Sequence, residues 1–196
     1  MKNEATVRAG IQVTRILYGA LVASSFLYLF VLFMVSSGVV SGVASDPAST
    51  ATPSADFTLV IAFAVVAVGV AAASFVVPRR LVEANLSAYR PDIETTRVPA
   101  PGGLYADATE ERRVFSDPWG TRHDLRTKRF APMILSWALS EAIAVFGLVL
   151  GFMGHELGAV LPFFVLCWAL LIVHAPRFAI YDREAEQRYG ATFPAA

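Results

Sequence analysis

The sequence predicts an all-α integral membrane protein, a four-helix bundle built as two tandem transmembrane hairpins, and three observations carry that prediction. Apolar residues make up 56% of the chain against 16% charged, far from the balance of a soluble domain. Four stretches, about 16–36, 57–77, 130–153 and 157–175, approach the length of ~20 apolar residues that a helix needs to cross a bilayer. The formal net charge of zero hides a segregation: all sixteen Lys and Arg residues lie in the N-terminal segment, the 78–130 connection or the C-terminal tail.

The first span begins just after Arg15, and with Lys2 and Arg8 it has the basic start of a signal peptide. Its apolar core is longer than an ordinary signal core, so an uncleaved helix is expected in spite of the small residues Gly42-Val43-Ala44. The connection from Val39 to Asp56 is small, polar and proline-containing, with Asp46 and Asp56 as its charges, and suits an exposed flexible connector. The short turn after the third span carries only Glu156. The positive-inside rule then puts both termini, the 78–130 loop and the 177–196 tail in the cytoplasm, and an even number of spans agrees. The preference for Arg over Lys and the Ala-rich spans suggest a GC-rich bacterial genome, and the expected location is a bacterial inner membrane.

The two halves resemble each other at an offset of 118 residues: Ile16, Leu17, Ala20, Leu21, Val31 and Leu32 fall on Ile134, Leu135, Ala138, Leu139, Val149 and Leu150. The second and fourth spans each end in Pro-Arg (Pro78-Arg79 and Pro176-Arg177), with a further Arg eleven residues on, Arg90 and Arg188. Proline at the exit predicts a kink or restart, so "RRLVEANLSAYR" and "RFAIYDREAEQRYG" are expected as short amphipathic helices, the second stopping at Gly190. Both copies have the same orientation, unlike the inverted repeats of many transporters. Between the hairpins the mixed charges and low apolar content predict a surface loop inside one membrane domain, 1–196, with a turn at Pro101-Gly102-Gly103 and a helical turn at "ATEERRVF".

Function is harder to reach. There is no phosphate-binding glycine loop, nucleophile elbow or zinc helix, so no catalytic residue, cofactor or metal site is expected. His123, His155 and His174 are dispersed, and the single Cys167 excludes an intrachain disulfide and suits a small packing residue. The basic residues of the long loop are interleaved with acids, which topology already explains, so no nucleic acid is expected, with an anionic-lipid contact as a lesser possibility.

Glu141 stands apart as the only charge within the four spans. It lies twelve residues beyond Arg129, about 18 Å along a helix and close to the bilayer centre. No Lys or Arg lies within another span, so protonation is the cheaper way to neutralise it. At about 100° per residue, Ser136, Ser140, Ala144, Gly147 and Gly151 form one small-residue stripe for helix packing, with Glu141 at its edge and Trp137 one turn before. Ser24, Ser25 or Tyr28 could supply hydrogen bonds from the first span, and Ala67, Ala71 and Ser74 form a second small stripe. Glu141 is then either interhelical glue or a reversible proton or cation site.

The segment "LSEAIAVFGLVLG", Leu139 to Gly151, resembles the carboxylate helix of the proton-carrying rotor subunit (proteolipid, subunit c) of V-type and F-type ATP synthases. The resemblance covers these thirteen residues and implies that Glu141 is an ion-carrying carboxyl, with Gly147 at a close-packing position. The expectation overall is a non-enzymatic structural or accessory subunit of a membrane complex, with lipid, other membrane subunits or further copies of itself as partners. The alternative is a proton- or cation-coupled protein that uses Glu141.

Overall fold

A computed structural model describes residues 4–37, 57–99 and 109–194, and among these are five helices and two paired β-strands. In chain order they are α1 (Glu4–Ser36), α2 (Phe57–Ser87), β1 (Ile93–Pro99), β2 (Thr109–Phe115), α3 (Pro118–Phe152), α4 (Leu157–Val173) and α5 (Phe178–Tyr189). α1, α2 and α3 are each long and apolar enough to cross a membrane, and α4 taken with α5 is a fourth candidate. At 17 residues, α4 alone spans ~25 Å at ~1.5 Å per residue, slightly less than the hydrocarbon core of a bilayer.

The chain divides into two compact units, one of Met1–Thr14, Val82–Ala131 and Pro176–Ala196, the other of Arg15–Leu81 and Pro132–Ala175. The second unit holds the larger of two apolar cores among the described residues. Trp137, Ile143, Ala144 and Leu150 from α3 and Val160, Phe163, Phe164, Cys167, Leu170 and Leu171 from α4 are buried in it, whereas α1 and α2 add Leu32 and Ala67. Outside this core α1 and α2 leave large side chains exposed, among them Phe30, Phe33, Val65, Val66 and Val68. Such continuous apolar faces are not stable in water, and with the helix lengths they mark an integral membrane protein.

The C-terminal end of α4 shows how its spare backbone groups are satisfied. The amide of Ala175 bonds Ile172 O at 3.3 Å, not Leu171 O four residues back, and Leu171 O instead accepts the Tyr18 hydroxyl at 2.9 Å. The carbonyl of His174 accepts Trp137 Nε1 at 2.9 Å. Two aromatic side chains, from α1 and α3, thus take over the carbonyls that every helix end leaves open.

In the first unit the described residues between α2 and α3 include a pair of strands. β1 and β2 pair antiparallel, Ile93 opposite Phe115 and Arg97 opposite Glu111, with Arg97 Nε 3.6 Å from the Glu111 carboxylate. The helical turn expected at "ATEERRVF" is therefore wrong, since most of that stretch is β2. The β-branched Thr95, Thr96 and Val114, cross-strand charge pairing and burial of Phe115 at 2% exposure outweigh the helix propensity of two glutamates. The tail adds to β2, with Thr192 N donating to Arg113 O at 2.9 Å and Phe115 N to Thr192 O at 3.3 Å. The turn at Pro101-Gly102-Gly103, the 39–56 connector and Gly42-Val43-Ala44 lie outside the described residues.

Two helix boundaries also differ from expectation. α2 runs through Pro78 to Ser87 without a restart, because the residues beyond it still have a core to join: Leu86 is buried with Leu125 and Ala185, and Val82, Tyr89, Tyr189 and Phe193 pack around them. Arg90 then lies beyond α2 and Arg177 is the residue before α5, so the eleven-residue spacing places neither Arg pair within one helix. α3 begins at Pro118, twelve residues before the apolar span: Asp117 caps it through Oδ1 to Gly120 N at 2.9 Å, and proline takes the first helical position. α5 stops at Gly190, whose φ of 61° is the left-handed conformation glycine adopts freely.

Candidate functional site

Glu141 sits on α3 half-buried, and its Oε1 meets two hydroxyls of α1. Ser24 Oγ is in close hydrogen-bond contact with Oε1, and Tyr28 Oη lies 3.1 Å from the same oxygen. Ser24 and Tyr28 are four residues apart and therefore one above the other on α1, which is why a single carboxyl oxygen reaches both. Ser24 Oγ also lies 2.7 Å from the carbonyl of Leu21 in its own helix. Interhelical hydrogen bonds of this kind contribute about 0.6–2 kcal/mol each in membranes.

The other residues singled out around Glu141 are bonded elsewhere. Ser25, fully buried, accepts Trp168 Nε1 of α4 at 2.9 Å and donates to Val22 O at 2.8 Å. Trp137, with no exposed surface, donates to His174 O, and its ring lies 5.2 Å from that of Tyr18. Ser140 donates to Ser136 O at 2.8 Å and has His174 Nδ1 at 3.3 Å, while Ser136 donates to Pro132 O at 3.2 Å. The serines of α3 thus form a local ladder beside His174, whose ring lies 4.8 Å from that of Phe75 of α2 and is tilted 49° to it.

The small residues of α3 contact two neighbours. A Cβ placed on Gly147 would come 3.0 Å from Phe163 Cβ and 3.0 Å from Phe164 Cε2, so α4 crosses there. A Cβ on Gly151 would meet Leu32 Cδ2 at 2.5 Å, so α1 crosses there. Ser136, Ser140 and Ala144 are buried, as are Ala67 and Ser74 of α2.

Tyr18, Trp168 and His174 take part in this polar lining and were not among the residues assigned to it from sequence. A signal for the first was present: Tyr18, Leu21, Ser25, Tyr28 and Leu32 recur at three- and four-residue steps, the spacing of one buried helix face. Trp168 and His174 had no such mark, because α4 is apolar on all sides. Among the described residues no group of three or more His, Cys, Asp or Glu side chains could hold a metal ion. No protein-family profile matches this chain, no curated protein matches its sequence, and no solved structure matches it.

Proposed function

We propose that the protein is a non-enzymatic structural or accessory subunit of a membrane complex, a four-helix bundle of two tandem hairpins in which Glu141 joins α1 to α3 as a neutral, protonated clamp. The supporting observation is a proton count at Glu141. Three oxygen pairs are in hydrogen-bond contact: Ser24 with Leu21 O, Ser24 with Glu141 and Tyr28 with Glu141. The two hydroxyls supply one proton each. A protonated carboxyl that donates to Ser24, leaving the serine to donate to Leu21 O, supplies the third and satisfies all three contacts.

The bare apolar faces of α1 and α2 then address lipid, neighbouring subunits or further copies of the chain. The basic segments support a cytoplasmic position for both termini, residues 78–130 and the 177–196 tail, with a bacterial inner membrane as the proposed location. A second reading, proton- or cation-coupled function, is favoured by one feature: Glu141 is half-buried and hydrogen-bonded to hydroxyls that both give and accept protons.

Glu141→Gln separates the two readings, since glutamine keeps a neutral hydrogen-bonding group of similar shape. The variant is expected to assemble with wild-type stability and to complement a strain lacking the protein. Normal assembly without complementation would establish proton coupling and reject the structural role. Infrared spectroscopy tests the clamp itself: a protonated-carboxyl band present at neutral pH and lost in Glu141→Gln is expected. A carboxylate band in its place would overturn the proton count.

A further inference from the structure

α3 carries a second arrangement of polar groups that the Glu141 site does not use. Arg122, Arg126 and Arg129 follow one another at four and three residues, so they share one face of the helix. Their side chains retain only 16%, 18% and 10% of their surface. Three largely buried guanidiniums in one row need acceptors, because an unmet charged donor is costly away from water.

The acceptors in place are too few. Arg129 bonds Glu184 of α5 at 2.6 Å. Arg122 and Arg126 share a single oxygen, Oδ2 of Asp182, at 3.5 and 3.6 Å, close enough for charge attraction but beyond good hydrogen-bond length. Glu186, the next acid on that helix, spends Oε1 on the backbone N–H of Phe193 at 2.9 Å. Among the described residues Arg122 Nε, Arg126 Nε, Arg126 NH1 and Arg129 Nε are buried with no hydrogen-bond partner. Burial foremost, with the charge of Arg122, pulls the Arg126 guanidinium below its ordinary range against the opposing pull of Asp182.

The flat faces of the same guanidiniums are already covered. Arg122 lies 5.1 Å from the Trp119 ring and 4.4 Å from that of Phe193, Arg126 lies 5.3 Å from Phe178, and Arg129 lies 4.8 Å from Tyr181. What lacks an acceptor is the in-plane edge, where the Nε and a terminal nitrogen of a guanidinium together match two oxygens of a tetrahedral anion. In the chain Arg129 immediately precedes the apolar span 130–153, and Phe178 follows 157–175 closely. Trp and Tyr beside basic residues at span ends are typical of the phospholipid headgroup level.

We propose that the Arg122, Arg126 and Arg129 ladder of α3, faced by α5, is a binding site for the phosphate group of an anionic phospholipid. Lipid phosphate supplies the acceptors that Asp182 cannot, and the aromatic rings hold the guanidiniums edge-on for it.

The test uses the purified full chain in a neutral detergent, titrated with phosphatidylglycerol, phosphatidylcholine or inorganic phosphate. Lipid retention is read by native mass spectrometry and the thermal midpoint by fluorescence. Wild type is expected to retain phosphatidylglycerol and be stabilised by it in preference to phosphatidylcholine. Arg126→Gln and Arg122→Gln should each weaken that binding about tenfold, the scale of one charge-assisted hydrogen bond. The exposed Arg97→Gln in β1 should leave it unchanged. Asp182→Asn moves the other way, strengthening binding by removing the competing carboxylate, so the proposal stays testable even if an arginine variant fails to fold. Loss of binding in Asp182→Asn, or equal retention of the two lipids by wild type, overturns the proposal. Protection by millimolar inorganic phosphate equal to that by phosphatidylglycerol keeps the phosphate chemistry but overturns lipid as its source.

Discussion

Ser24 and Ser25 are adjacent on α1, yet they serve different neighbours because successive helix positions point about 100° apart. Ser24 faces Glu141 of α3, and Ser25 receives the indole N–H of Trp168 from α4. Ser24→Ala removes one contact of the carboxyl and is expected to cost about 1 kcal/mol while shifting the Glu141 carboxyl band in the infrared. Ser25→Ala leaves that band in place but strands a partly buried donor on Trp168, with an expected cost of about 1 kcal/mol and a change in tryptophan emission. Equal effects of both variants on the carboxyl band would contradict the assignment of Ser24 alone to Glu141. Glu141→Lys, which puts a cation where the surroundings offer carbonyls and hydroxyls, is expected to prevent stable folding, seen as loss of the monodisperse species in detergent.

At the scale of elements, glycines and prolines matter through the backbone groups they expose or release. Gly151 lets Leu32 of α1 approach α3, and Gly147 lets Phe163 and Phe164 of α4 do the same. Gly151→Leu and Gly147→Leu are each expected to destabilise the second unit by about 1–3 kcal/mol through overpacking, measured as a lowered midpoint in detergent. Unchanged midpoints in both would mean that these faces meet lipid. Pro132 in α3 shows the other effect: having no N–H, it cannot bond the carbonyl of Lys128 four residues back. Asn85 of α2 fills the gap, donating Nδ2 to Lys128 O at 2.9 Å. Asn85→Leu therefore leaves that carbonyl without its partner and is expected to accelerate amide exchange around residues 128–132.

For the molecule as a whole, the membrane topology decides which surfaces can meet which partners. On the proposed topology, with both termini and the 78–130 segment cytoplasmic, a membrane-impermeant thiol reagent applied from outside should label a cysteine placed at Ser49 and spare one placed at Gly103, in a Cys167→Ala background. The reverse pattern would invert the proposed orientation and move the arginine ladder to the outer leaflet. The native thiol would not confuse the assay even if retained, since Cys167 is fully buried in the apolar core.

Membrane-spanning helices were legible in the sequence because hydrophobicity is a one-dimensional property: a run of about 20 apolar residues needs no partner to declare itself. Gly190 as the end of α5 was legible for the same local reason. The strands between α2 and α3 were not, because their order depends on groups far apart in the chain. β2 forms against β1 and the tail residue Thr192, and Leu86 and Leu125 find Ala185 some sixty residues on or more. That same distance hid the Pro78 continuation, since a helix propensity rule weighs the lost hydrogen bond but not the core that Val82 and Leu86 go on to join. The sequence alone determined that Glu141 is a lone acid in an apolar run, and it named three hydroxyls able to meet it. Only the tertiary structure decided that Ser24 and Tyr28 reach the carboxyl while Ser25 serves Trp168, because the rotation and depth of one helix against another are set by the packing of all their side chains together.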